Sequence, residues 1–168
     1  FGVDVEGWMP GETITIDPGT FAYPVGSVAD IPTGEYTIQA LLHKYETFNL
    51  ATGYTVKLPM DQGEGQHWNI SPENIYSIPV QAKLGSGSSV SLNITEEIAP
   101  IEPVADSEYI KHIKIQSDLL TEFWGRPMHL QANVLVPHDF DPNSDTKYPL
   151  MIFHGHFPDT FGGFRTEP

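Results

Sequence analysis

The sequence predicts a mostly β chain: an immunoglobulin-like β-sandwich followed by the opening strands of a second domain. Three observations predict it. Residues 1–98 are filled by short runs of β-branched and aromatic residues between Gly, Pro, Asp and Asn clusters, with no helical period. A stretch with two prolines, Glu97 to Asp106 (EIAPIEPVAD), then breaks the pattern. Beyond it lie two strand-like runs and one continuous apolar run, the latter of the kind found in a strand covered on both faces of a sheet.

In chain order, Glu12-Thr13-Ile14-Thr15-Ile16 reads as a strand, Asp17-Pro18-Gly19 as a turn, and Thr20 to Val25 as the next strand. Gly34 to Glu46 opens with Tyr36, Ile38 and Ala40 in alternation, a half-buried strand rather than a short helix. Asn49 to Asn74, carrying His67-Trp68, reads as a loop too long for a simple turn, a kind that is often functional or packed on a neighbour. Ile78 to Leu84 and Val90 to Ile94 flank Gly85-Ser86-Gly87-Ser88-Ser89 and are expected to pair as a hairpin. Several short strands at this spacing give the sandwich. After the Pro-rich linker, Tyr109 to Gln116 and Met128 to Val136 are strands, and Asp139 to Asp145 is a solvent loop. Lys147-Tyr148-Pro149 then leads into Leu150-Met151-Ile152-Phe153, expected as a buried strand. The expected division is a sandwich module over 1–98, a linker over 99–107 and a second domain over 108–168.

Composition bounds the function. Hydrophobic residues make up 39% of the chain, with 9 Phe, 7 Tyr and 3 Trp, enough to exclude a disordered tail. The 22 acidic residues against 8 basic ones give a net charge of -14, which repels nucleic acid and anionic lipid. Without cysteine there is neither a disulfide framework nor a thiolate metal site. No segment approaches the roughly 18 apolar residues of a membrane span. The start, Phe1-Gly2-Val3-Asp4, lacks Met and reads as processed or truncated, as after removal of an export signal. The expected location is therefore bacterial and periplasmic or extracellular. Asn69-Ile70-Ser71 and Asn93-Ile94-Thr95 fit the N-glycosylation pattern, a triplet that chance produces often.

The chemistry concentrates after the apolar run, in His154-Gly155-His156-Phe157. The stretch from Lys147 to His156 resembles the Tyr-Pro-apolar-His-Gly signature of esterases in the α/β-hydrolase superfamily, over about residues 108–168. Asn133 to Pro137 before a polar loop, and the upstream sandwich, are also similar to secreted esterases of the esterase D and enterochelin-esterase type. The resemblance implies an α/β-hydrolase domain, of which this chain carries the first strands, acting on carboxylic esters without a cofactor. It places an oxyanion hole at the main-chain N–H groups of His156 and Phe157, next to His154, with Gly155 allowing close approach. It also implies a serine on a Gly-x-Ser-x-Gly turn, then an acid and a histidine. No such turn occurs; Gly85-Ser86-Gly87-Ser88-Ser89 has the wrong spacing. The chain therefore reads as a fragment, a cleaved product or one piece of a larger assembly, packing against its own C-terminal continuation or a partner chain.

Other readings of the same residues stand beside this one. His154 and His156 are equally well ordinary strand-end residues, or, as His-x-His on one strand face, ligands of a metal in an amidohydrolase-like enzyme. Asp159, Arg165 and Glu167 are expected to be solvated loop charges, and Asp17, Glu35, Asp61 and Glu64 surface charges. Trp124, within Phe123-Trp124-Gly125-Arg126-Pro127, either shapes a substrate cleft or plugs a sheet edge. Trp68 and His67 are the best candidates for a carbohydrate or peptide contact from the first module, against the commoner outcome of a Trp pinning its loop. A reading from another class makes the chain a non-catalytic β-sandwich module for binding or assembly in a larger extracellular complex.

Overall fold

The computed structural model describes residues 1–59, 62 and 67–153. Among them the chain is mostly β, built from small antiparallel pairings and one short α-helix. It divides into two compact units, Phe1–Ala40 with Ser77–Asn93, and Leu41–Tyr76 with the chain from Ile94 onward.

The first unit holds β1 (Gly34–Ile38) and, returning much later, the strand Val80–Leu84, here β6. They pair antiparallel, with Tyr36 opposite Ala82 and Ile38 opposite Val80. The pleat puts Tyr36, Ile38 and Leu84 on the half-buried face. On the other face Glu35 stands opposite Lys83, and Gln81 donates to Thr37 Oγ1 at 2.6 Å. Ser77 closes the open end: its N–H donates to the Ala40 carbonyl and its Oγ accepts from Ala40 N–H, both at 2.9 Å.

In the second unit β2 (Leu41–Leu42), β5 (Ile75–Ser77) and β7 (Ile94–Glu97) form one sheet with β5 central. Beside β2 in sequence, β3 (Tyr45–Asn49) and β4 (Thr55–Pro59) make a hairpin. Its Leu50–Tyr54 loop closes through Leu50 N–H to Tyr54 O at 2.8 Å and Gly53 N–H to Leu50 O at 2.9 Å, with Gly53 at φ 86°. That positive φ is the glycine-bearing turn chemistry of short hairpin loops. β8 (Ile110–Gln116) and β9 (His129–Leu135) pair antiparallel over their full length, and α1 (Asp118–Trp124) joins them.

The helix has legible ends. Ser117 caps it, its side chain accepting from Leu120 N–H at 3.3 Å, and Gly125 follows it in the left-handed conformation at φ 68°. Its C-terminus docks on the β3–β4 hairpin. Ala51 N–H donates to the Phe123 carbonyl at 2.9 Å, the Trp124 ring meets Phe48 edge-on at 5.3 Å, and the Arg126 guanidinium lies over Phe48 at 5.1 Å. Arg126 also pairs with Glu46, a carboxylate that the pleat places on the same half-buried hairpin face as Phe48.

Several expectations are corrected. Residues 12–16 form no strand, and 20–25 contribute only a bridge from Phe21 to Ser27, because the loop's own hydrogen bonds replace a ladder. The Gly85–Ser88 turn exists, but it joins no hairpin: β6 pairs with β1, residues 90–93 are not a strand, and β7 lies beside β5. The Asn49–Asn74 stretch contains β4, whose hairpin turn the sequence reading missed. Leu150, Met151, Ile152 and Phe153 are not a buried strand; they stand 80, 89, 80 and 82% exposed, with no strand of the described residues beside them. Phe123-Trp124 ends a helix rather than bridging two strands directly.

Gly125 is the position where backbone freedom is indispensable. A Cβ there would lie 2.7 Å from the Asn49 carbonyl oxygen, on a backbone that L side chains rarely adopt. Gly125→Ala should therefore cost about 1–3 kcal/mol, read as a lowered urea midpoint. An unchanged midpoint would show that the helix does not dock tightly there.

Candidate functional site

The expected oxyanion residues, His154, Gly155, His156 and Phe157, lie outside the described residues, as do Asp61, Glu64, Asp159, Arg165 and Glu167. What leads into them is described. Tyr148 packs at a tilt on Phe140, ring centroids 6.1 Å apart, and the next residues leave that contact as the exposed apolar run of Leu150 to Phe153. A second bare apolar surface lies on β8–β9. The register sets Ile113 opposite Ala132 and Ile115 opposite Leu130, so these four share one face, and all four are exposed. Ile110, near the other end of the pair, is 3% exposed.

Trp68 and His67 sit in a turn closed by Ile70 N–H to the His67 carbonyl at 2.9 Å. Both side chains are exposed, the indole at 57%, so Trp68 does not pin its loop by burial. The loop is pinned instead by Asn74, which is fully buried. Its Nδ2 donates to the Trp68 carbonyl at 2.8 Å and its Oδ1 accepts from Lys44 N–H at 2.9 Å. The Asn74 main chain continues the network: its carbonyl accepts from Ile98 N–H at 2.9 Å, and Glu73 N–H donates to the Ile98 carbonyl at 3.0 Å. The turn is thus held from inside while the ring faces out. Trp124 has a different setting, half-buried between Phe48 and Phe123 in two edge-on contacts.

At the foot of β8, Asp106 Oδ1 accepts from His112 N–H at 2.8 Å and lies 3.3 Å from His112 Nδ1. Lys111 Nζ donates to the Ser107 carbonyl at 2.6 Å, and Ser107 Oγ accepts from Ile110 N–H at 3.0 Å. The backbone bond from His112 holds the Asp106 carboxyl below its ordinary value, aided by the His112 ring and the Lys111 charge and opposed by partial desolvation. Among the described residues no three His, Asp or Glu side chains converge as a metal site, and no helix is long and apolar enough to cross a membrane. Neither Asn74 nor the Asp106–His112 pair was singled out from sequence. Asn74 follows Ser71-Pro72-Glu73, a turn composition that marks a loop but not a buried amide.

Two measurements check these contacts. Asn74→Ala strands the Lys44 N–H and the Trp68 carbonyl, and should destabilise the fold by roughly 2–6 kcal/mol at about 1–3 for each stranded group; a loss under 1 kcal/mol, by urea unfolding, would overturn this. Asp106 has a depressed folded value, so its contact favours the fold above the unfolded carboxyl's pKa and loses that contribution as pH falls through the folded one. The stability gap between the natural chain and Asp106→Ala should therefore be full at neutral pH and narrow in acid. A gap constant down to strong acid would show that the carboxylate charge contributes nothing.

No protein-family model, curated protein or solved structure matches this chain.

Proposed function

We propose that the chain is the N-terminal part of a secreted carboxylic-ester hydrolase, an immunoglobulin-like accessory module followed by the first strands of an α/β-hydrolase domain. The observation that carries this reading is the apolar run of Leu150 to Phe153, bare at 80–89% exposure directly before His154-Gly155-His156. Four consecutive apolar side chains in water are unfavourable by roughly 1.5–3 kcal/mol each relative to burial. A parallel sheet covered on both faces is the setting such a run fits. The β8–β9 pair presents a second bare face, Ile113, Ile115, Leu130 and Ala132, which on this reading is part of the same domain. Both surfaces would be covered by the remainder of the domain.

In that domain the main-chain N–H groups of His156 and Phe157 donate to the oxyanion that forms as a serine attacks the ester carbonyl. Gly155, without a Cβ, lets the carbonyl approach, and His154 flanks the loop. Two oriented N–H donors in a water-excluded site act on charge that appears only in the transition state. The serine, its histidine base and the acid orienting that base lie outside these 168 residues. Trp124, braced by Phe48 and Phe123, packs near the cleft, and Trp68 with His67 offers an outward contact for substrate.

A second reading, a non-catalytic assembly module, draws on the same bare face, since among the described residues no third strand joins the two-stranded β8–β9 sheet. Labelling native source material with a fluorophosphonate probe separates the two. The esterase reading expects label on a species larger than 18.6 kDa that contains this sequence, or on a companion chain that co-purifies. Absence of label from folded, intact material would favour the assembly module. In the labelled protein, Gly155→Val should abolish turnover, whereas a chelator should leave it unchanged. Full activity in Gly155→Val would remove the oxyanion assignment, and chelator sensitivity would favour His154 and His156 as metal ligands.

A further inference from the structure

Residues 17–31 of the first unit form a closed loop that carries two bare aromatic rings. Phe21 is 73% exposed and Tyr23 85%, while Ala22 between them is 2% exposed. Ala22 is turned inward while the rings on either side of it are presented to solvent.

The backbone beneath them is fixed. Phe21 bridges antiparallel to Ser27, Val28 N–H donates to the Thr20 carbonyl at 2.9 Å, and Ala29 N–H to the Pro18 carbonyl at 2.8 Å. Asp17 Oδ1 accepts from Gly19 N–H at 2.9 Å, and Asp30 Oδ2 from Ser27 Oγ at 2.8 Å. Rings held on a fixed backbone lose little freedom on binding, since each has only two side-chain torsions to settle.

We propose that Phe21 and Tyr23 form a stacking platform for a neutral polysaccharide, whose sugar rings lay their flat C–H faces on the two aromatic rings. The occupant follows from area and charge. Two rings at this exposure offer roughly 300 Å², whereas a standard protein interface takes about 800 Å² from each partner. A sugar chain needs no more than such a strip, because its hydroxyl edges stay in water. The charges of the loop, Asp17 and Asp30, are exposed and acidic, in a chain of net charge -14, which disfavours anionic ligands. The platform does not depend on the esterase reading.

The test is native affinity electrophoresis of the chain through gels containing a soluble neutral polysaccharide: hydroxyethyl cellulose, xylan, galactomannan or mixed-linkage β-glucan. At least one should retard the natural chain. Phe21→Ala and Tyr23→Ala should each weaken retention by roughly tenfold or more, the value of burying one ring face, and the double variant should abolish it. Tyr23→Phe, which keeps the ring, should bind. Circular dichroism melts verify folding of every variant, and both changed side chains are already in water. No retardation of folded natural chain by any of the four, or undiminished binding by the double variant, would overturn the proposal. None of these readouts involves ester turnover, so the proposal and the esterase reading fail separately.

Discussion

A carboxamide shut away from water must find its hydrogen bonds inside the protein, and where Asn74 finds them determines the course of much of the second unit. One end of its amide holds the chain between β2 and β3 at Lys44, the other holds the Trp68 turn, and its own main chain holds the segment after β7 at Ile98. Three segments distant in sequence are thereby positioned by one residue. Its sequence neighbours Ser71 and Pro72 are buried as well, small residues rather than large apolar ones. Glu73 adopts φ 67° next to it, a left-handed conformation unusual for this residue type, and its N–H donates to the same Ile98 segment.

That arrangement belongs to a chain with a small apolar interior. Among the described residues, Ala22 and Ile110 are the buried apolar ones, while many large apolar side chains lie at the surface. Hydrogen bonds satisfied in only one geometry then contribute more to specifying the structure than volume filling does. The Arg126–Glu46 pair and the cation over Phe48 belong to the same class of contact. They weld α1 to the hairpin through groups that are directional.

The β character of the chain was legible because alternation is a local property. Tyr36 and Ile38 marked β1, although the expected strand over Gly34 to Glu46 is broken into β1, β2 and the start of β3, and the runs from Tyr109 and Met128 marked β8 and β9 to within a residue or two. Pairing was not legible. The Gly85–Ser88 turn looked like a hairpin turn, yet β6 runs beside β1, a choice made by Tyr36 and Ile38 meeting Ala82 and Val80 rather than by the turn. The β3–β4 hairpin was hidden by its loop, since Ala51-Thr52-Gly53 lacks the Asn-Gly or Asp-Gly pair that marks the tightest turns. The α1 caps, Ser117 and Gly125, were readable in principle, but seven residues are too few for a helical period to assert itself. Of the candidate site, the amide that fixes the Trp68 turn leaves no trace in sequence. The Leu150–Phe153 run shows the limit of reading apolarity as burial: four such residues specify a demand for cover, not who supplies it.

The docking of α1 on the β3–β4 hairpin has a consequence in time. The hairpin closes through a five-residue loop and is a local event of the microsecond scale. The contact between Asn49 and Gly125 joins segments separated by β4, β5, β6, β7 and β8, so closing it costs more chain entropy than closing the hairpin. The hairpin can thus form without the helix, and Phe48 is the seat it offers once α1 docks.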